Sequence, residues 1–232
     1  MTARFRHYLS TPVAQATCLI AAILGKMAMT MIYARTESDE MAQALMSRNF
    51  NEGLGFTINL ANVNDLAQVQ HMPHTGWPPL YSWMMSFFLR LFNNNPQLAD
   101  YIIQCVFIVL FVIYLRRLLL LLQFPHWCIS VLLLFQGFFV YTYYEYPTDF
   151  ASLALMLAVT YYLVSIVACS GKQWLNITLL SFFVTAAVLA RYQYIPVCFL
   201  LLLALTGFGF LKRKPIWIRS GAIALGVFII AT

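Results

Sequence analysis

Charge is what this sequence has least of: 9% of its 232 residues are Asp, Glu, Lys or Arg, and only eight are acidic. Soluble domains of this size carry about a quarter charged residues, so a water-soluble fold is excluded. Ten-residue stretches of strict apolar and polar alternation, the mark of a membrane barrel, are also missing. The five cysteines, Cys18, Cys105, Cys128, Cys169 and Cys198, lie in or beside apolar runs without CxxC spacing. That argues against a structural zinc and against a disulfide framework.

What is present is hydrophobicity, 62% of the residues, in long unbroken runs such as Tyr101 to Leu115 and Ala151 to Ala168. Backbone amides cannot go unpaired in hydrocarbon, so such runs must be helices. The expected class is all-α: a polytopic transmembrane helix bundle with about seven spanning helices, forming one domain over residues 1–232. The net charge of +6 sits in short basic clusters that flank the apolar runs. Clusters so placed set topology and do not indicate a nucleic-acid partner.

The first span is expected from about Val13 to Tyr33, behind Arg4, Arg6 and His7. From 34 to 97 runs a polar outer loop. A short surface helix is expected there, with Met41, Leu45 and Met46 on one face and Thr36 and Asp39 in capping-box positions. The apolar stretch Pro79 to Phe92 is about fourteen residues, short of the ~20 a spanning helix needs. Taking it as non-crossing, the remaining spans run about Leu98 to Leu115, Cys128 to Tyr144, Phe150 to Ala168, Leu175 to Ala190, Tyr194 to Leu211 and Ile218 to the end. The last is short for a span, and the chain is expected to be a fragment or truncated module. This arrangement collects Arg4, Arg6, Arg116, Arg117, Lys172, Lys212, Arg213, Lys214 and Arg219 in the cytoplasm. All eight acidic residues then fall on the outer side.

Three charged groups meet that outer face. Arg35-Thr36-Glu37-Ser38-Asp39-Glu40 holds three of the eight carboxylates. The second is Glu145-Tyr146-Pro147-Thr148-Asp149, and the third is Arg191-Tyr192-Gln193-Tyr194. Ionisable groups at a membrane surface suit a charged lipid headgroup, although carboxylates are also favoured at a helix N-terminus with no chemistry to perform. Lys26 falls inside the first span, where it either snorkels to the interface or meets an anionic group. His74, near His71, reads as a polar loop residue or an acceptor contact. Trp77, Tyr81 and Trp83 read as an interfacial aromatic belt or as sugar-stacking rings.

The order of these features resembles the GT-C superfamily of membrane glycosyltransferases. The match is closest to the protein O-mannosyltransferase and lipid A aminoarabinose transferase type. It rests on Asp39 just beyond the first helix, Trp77-Pro78-Pro79-Leu80-Tyr81 before a short helix ending Leu91-Phe92, and Tyr114-Leu115-Arg116-Arg117-Leu118. It continues through Glu145 to Ala154 and Leu189-Ala190-Arg191-Tyr192. The resemblance implies transfer of a sugar from a polyprenyl-phosphate carrier to an acceptor hydroxyl at the outer or lumenal face. It carries Asp39 onto the general base and Asp149 onto the second acid. By its chemistry Arg191, with Lys26 second, would bind the carrier phosphate. Glu37, Glu40, Glu145, Tyr81, Trp77, His74 and Tyr194 complete the expected substrate-binding set.

No cofactor is firmly expected. A divalent cation, if used, would take Glu37, Asp39 and Asp149, the oxygen ligands such an ion prefers. The partners implied are the carrier lipid, an acceptor, the bilayer and a second membrane subunit. The expected location is a bacterial inner membrane with a cytoplasmic N-terminus, ahead of the endoplasmic reticulum. Two other readings stay open, a lipid-linked sugar transporter and a non-catalytic membrane module.

Overall fold

A computed structural model describes residues 7–32, 38–62, 65–73, 76, 78–138 and 147–231, with backbone alone at 38–40, 61–62, 65–68, 147 and 231. In chain order come α1 (Pro12–Ile32), α2 (Ser38–Asn51), β1 (Thr57–Asn62), β2 (Asp65–Pro73), α3 (Pro79–Leu91) and α4 (Pro96–Leu121). There follow α5 (His126–Phe138), α6 (Pro147–Val167), α7 (Gln173–Ala190), α8 (Tyr194–Leu211) and α9 (Pro215–Ala231). Helices α1, α4, α6, α7 and α8 are long and apolar enough to cross a membrane, while α5 and α9 are apolar but shorter. The chain is an integral membrane protein with an all-α, polytopic bundle.

The bundle is built on α6, which packs between α4 and α7, while α1 packs on α5 and α8 on α9. Ala151, Ala154 and Ala158 line the buried side of α6. Small side chains let helices approach closely where hydrocarbon offers no hydrophobic drive to bring them together. The same logic is sharpest between α1 and α5. A Cβ placed on Gly137 would lie 2.6 Å from the Ala22 Cα and 2.7 Å from its carbonyl oxygen, so only glycine fits.

Several helices end alike. Asn93, Gln123, Cys169 and Arg213 have φ of 51°, 60°, 52° and 52°. In each case the next amide closes on a carbonyl five residues back: Asn94 on Leu89 at 2.8 Å, Phe124 on Leu119 at 3.0 Å, Ser170 on Ser165 at 2.9 Å and Lys214 on Gly209 at 2.8 Å. This is the Schellman closure, which satisfies carbonyls a helix end would otherwise leave open. It also explains a difference in α4, expected to stop at Leu115. The leucines after Arg117 favour helix, and nothing breaks it before Gln123 and Pro125. Arg117 stays compatible by laying its guanidinium 5.7 Å from the Tyr114 ring centroid.

The outer loop differs more. Surface helices alone were expected over 34–97, but β1 and β2 form an antiparallel hairpin there, with Ile58 opposite Met72 and Leu60 opposite Gln70. Thr57 to Leu60 alternates polar and apolar, and Asn62-Val63-Asn64-Asp65 is rich in turn formers, which together specify a hairpin. α2 forms as expected, and the face it turns to the protein is largely polar. Met41 is exposed, whereas Gln43, Met46, Ser47 and Asn49 are buried. The reason is its neighbour α3: the Ser47 hydroxyl donates to the Ser82 carbonyl at 2.9 Å and the Ser82 hydroxyl donates to Gln43 Oε1. The Asn49 amide meanwhile reaches Thr57 O at 2.9 Å and Asn59 Oδ1 at 2.7 Å, joining α2 to the hairpin.

Candidate active site

The first turn of α6 is where the charged residues gather. Thr148 and Asp149 open that helix, and a carboxylate there is favoured by the positive end of the helix dipole. Arg191 caps the far end of α7 in extended conformation, φ −153° and ψ 118°. Leaving the helix at that residue turns its side chain back toward α6, where the guanidinium pairs with the Asp149 carboxylate. Its Nη2 lies 3.4 Å from Thr148 Oγ1. Its Nε is buried and has no acceptor among the described residues. The two side chains are 19% and 41% exposed, so the pair sits at the rim of the bundle and not in its core.

Lys26 comes to the same turn from α1. It is 1% exposed, and its ammonium lies 5.0 Å from the centroid of the Phe150 ring. Of its two sequence readings, snorkelling along the outside does not describe this placement. An aromatic face attracts a cation most where water is excluded.

A second polar cluster lies on the other side of a seam. Tyr81, 2% exposed in the first turn of α3, donates its hydroxyl to Asp100 Oδ1, while Gln104 Nε2 donates to Asp100 Oδ2 at 2.5 Å. Between the clusters runs a tight crevice, without room for a water-sized molecule, lined by Leu80, Tyr81, Phe107, Thr148, Ala151 and Ala190. Ligand pockets begin at roughly 300 Å³, so this crevice would have to widen to admit a sugar. Tyr194 packs partly buried against the core one turn after Arg191.

Thus Asp149 and Arg191 pair, Lys26 packs on the Phe150 ring of the same helical turn, and Tyr81 lines the crevice with Thr148. Asp39 and Glu40 stand in the first turn of α2, where the backbone alone is described. Glu37, His74, Trp77 and Glu145 lie outside the described residues. Among the described residues no three His, Cys, Asp or Glu side chains come close enough to hold a metal ion.

Sequence reasoning gave no role to Asp100, Gln104 or Thr148. Asp100 had been counted among the outer carboxylates, and its spacing from Gln104 by one helical turn was the available signal.

An apolar bundle of helices long enough to cross a membrane, with an ion pair at the head of one of them, is a polytopic membrane protein. The family model described as dolichyl-phosphate-mannose-protein mannosyltransferase matches residues 77–231, and the chain belongs to that family of GT-C-type membrane glycosyltransferases. Tyr81, Asp100, Asp149, Arg191 and Tyr194 fall inside the matched stretch, and Lys26 and Asp39 precede it. No curated protein and no solved structure matches the chain.

Proposed function

We propose that this chain moves a sugar from a polyprenyl-phosphate carrier to an acceptor hydroxyl at the outer or lumenal membrane face. The observation that carries the reading is the Arg191 guanidinium: held by Asp149 and Thr148, it keeps a buried Nε that has no acceptor among the described residues. Buried donors are rarely left unpaired, and a phosphate oxygen is the acceptor a guanidinium fits best.

The chemistry is a displacement at the anomeric carbon. The bond from that carbon to the carrier phosphate oxygen breaks, and its electron pair leaves with the phosphate. The acceptor oxygen bonds to the opposite face, with inversion, and gives its proton to the Asp39 carboxylate. A positioned general base is worth about 10²–10⁴-fold. Arg191 stabilises the charge that grows on the departing phosphate, and Lys26 adds positive potential from beneath Phe150. Asp149 holds Arg191 in orientation. Glu37, Glu40, Glu145, Trp77, His74, Tyr81 and Tyr194 would contact the sugar and the acceptor.

A divalent cation fits this arrangement poorly, because Asp149 is already neutralised by a guanidinium. No step is routed through one. Arg116, Arg117, Lys172, Lys212, Arg213, Lys214 and Arg219 belong to helix ends away from the first turn of α6, which supports a cytoplasmic location for those ends. A bacterial inner membrane is the favoured setting.

The test is transfer by the reconstituted protein, beginning with polyprenyl-phosphate mannose, the sugar named in the family's description, and a panel of acceptors. Asp39→Asn should abolish transfer while retaining the carrier. Undiminished turnover in that variant would remove Asp39 from the chemistry.

A further inference from the structure

A second polar cleft, of about 340 Å³, opens between the C-terminal ends of α2 and α3 and is lined by Arg48, Asn51, Glu52, Leu89, Arg90, Asn93 and Asn94. Counting from Tyr81 to Arg90 at 1.5 Å per residue, it lies about 13 Å along α3 from the crevice. It is therefore a separate place, and the transfer reaction proposed above does not use it.

Its walls are built for an oxyanion. Arg90 is steered by its Nε, which donates to Asn51 Oδ1 at 2.7 Å, while the Asn51 amide donates to the Ser86 carbonyl at 3.0 Å. Arg48 donates from its Nε to Glu52 Oε1 at 2.8 Å. Each guanidinium is thus oriented through one edge, and among the described residues neither Nη edge has a protein acceptor. One carboxylate faces two guanidinium groups, so the cleft keeps a positive excess. Asn93 and Asn94, in left-handed conformation at φ 51° and 59°, bring two more side-chain amides to its rim.

The surface beside the cleft says what carries the anion. Trp83, Phe87 and Leu91 recur every four residues on α3 and are 45%, 63% and 61% exposed. Phe56 lies against Trp83 with ring centroids 6.2 Å apart and stacks on Phe50 at 4.4 Å, extending the apolar face from the side of α2. A helix too short to span, with an aromatic stripe on its free side and arginine at its end, lies in the interfacial layer of a bilayer. There the stripe enters the acyl boundary and the arginine cleft stands at headgroup level.

We infer that the Arg48–Arg90 cleft docks the phosphate of an anionic membrane lipid. The inference concerns lipid attachment only and does not depend on the sugar-transfer reading.

The experiment is native mass spectrometry of the full chain titrated with phosphatidylglycerol, with Arg48→Gln/Arg90→Gln beside the wild type and inorganic phosphate as competitor. Loss of two charge-assisted contacts should weaken the first lipid-binding event about tenfold or more. Millimolar inorganic phosphate should not displace the lipid, because it lacks the chains that follow the Trp83 stripe. The Arg48→Lys/Arg90→Lys variant keeps the charge without the planar fork, should fall between, and carries the test if the Gln pair does not fold. Lipid binding within twofold of wild type in the folded double variant would overturn the proposal, as would displacement of the lipid by phosphate, which would assign the cleft to a soluble anion.

Discussion

Replacing Arg191 by Gln separates a structural from a functional role for the ion pair at the head of α6. The pair is 19% and 41% exposed, close to the conditions in which ion pairs contribute about 0.2–1 kcal/mol to stability. Asp149 keeps enough solvent, and the dipole of α6, to remain charged without its partner. The stability loss should therefore stay below about 1 kcal/mol. Binding of the carrier is another matter, since a hydrogen bond to a charged group contributes about 1.5–3 kcal/mol, or roughly 10–150-fold in affinity. Carrier retention measured with a polyprenyl phosphate, alongside thermal unfolding in detergent, reads the two quantities separately. Large loss of the carrier with nearly unchanged unfolding is the expected result. A collapse of stability with affinity per folded molecule preserved would refute the phosphate role and leave Arg191 as a strut between α6 and α7.

Two further outcomes follow from packing and polar satisfaction. Gly137→Val should separate α1 from α5 and lower stability by about 1–3 kcal/mol through overpacking, whereas Gly226→Ala, where a Cβ would meet nothing within 4 Å, should unfold like wild type. Tyr81→Phe should lower thermal stability by about 1–3 kcal/mol, because one oxygen of the Asp100 carboxylate loses its donor. Combining it with Asp100→Leu should cost less than the sum of the two single changes, and simple additivity would show that the pair does not act as a unit.

Much of this arrangement could be read before the structure. Hydrophobic length located the long helices, to within three residues at every end but the C-terminus of α4, because a span must satisfy its own backbone wherever it runs. Asp149 and Arg191 were legible for a related reason: a charge at the end of an apolar helix is costly and so conspicuous. What stayed hidden depends on partners distant in sequence. Met41, Leu45 and Met46 marked α2 as a surface helix, but that it turns Gln43 and Ser47 inward depends on Ser82 of α3, 39 and 35 residues away. Asp100 read as one more outer acid until Tyr81 was brought beside it. The hairpin was missed because a membrane setting made every segment of 34–97 look like helix or loop, although the alternation from Thr57 to Leu60 was present.

The grip of Asn49 on Thr57 and Asn59 makes one mechanical body of the hairpin and α2. The described pins on this rod, at Gln43, Ser47 and Asn49, all fall beyond its first turn, so Asp39 rides on the end ahead of them, about 15 Å from the hairpin anchor. Any molecule that leans on β1 also pushes on the helix that carries the acid.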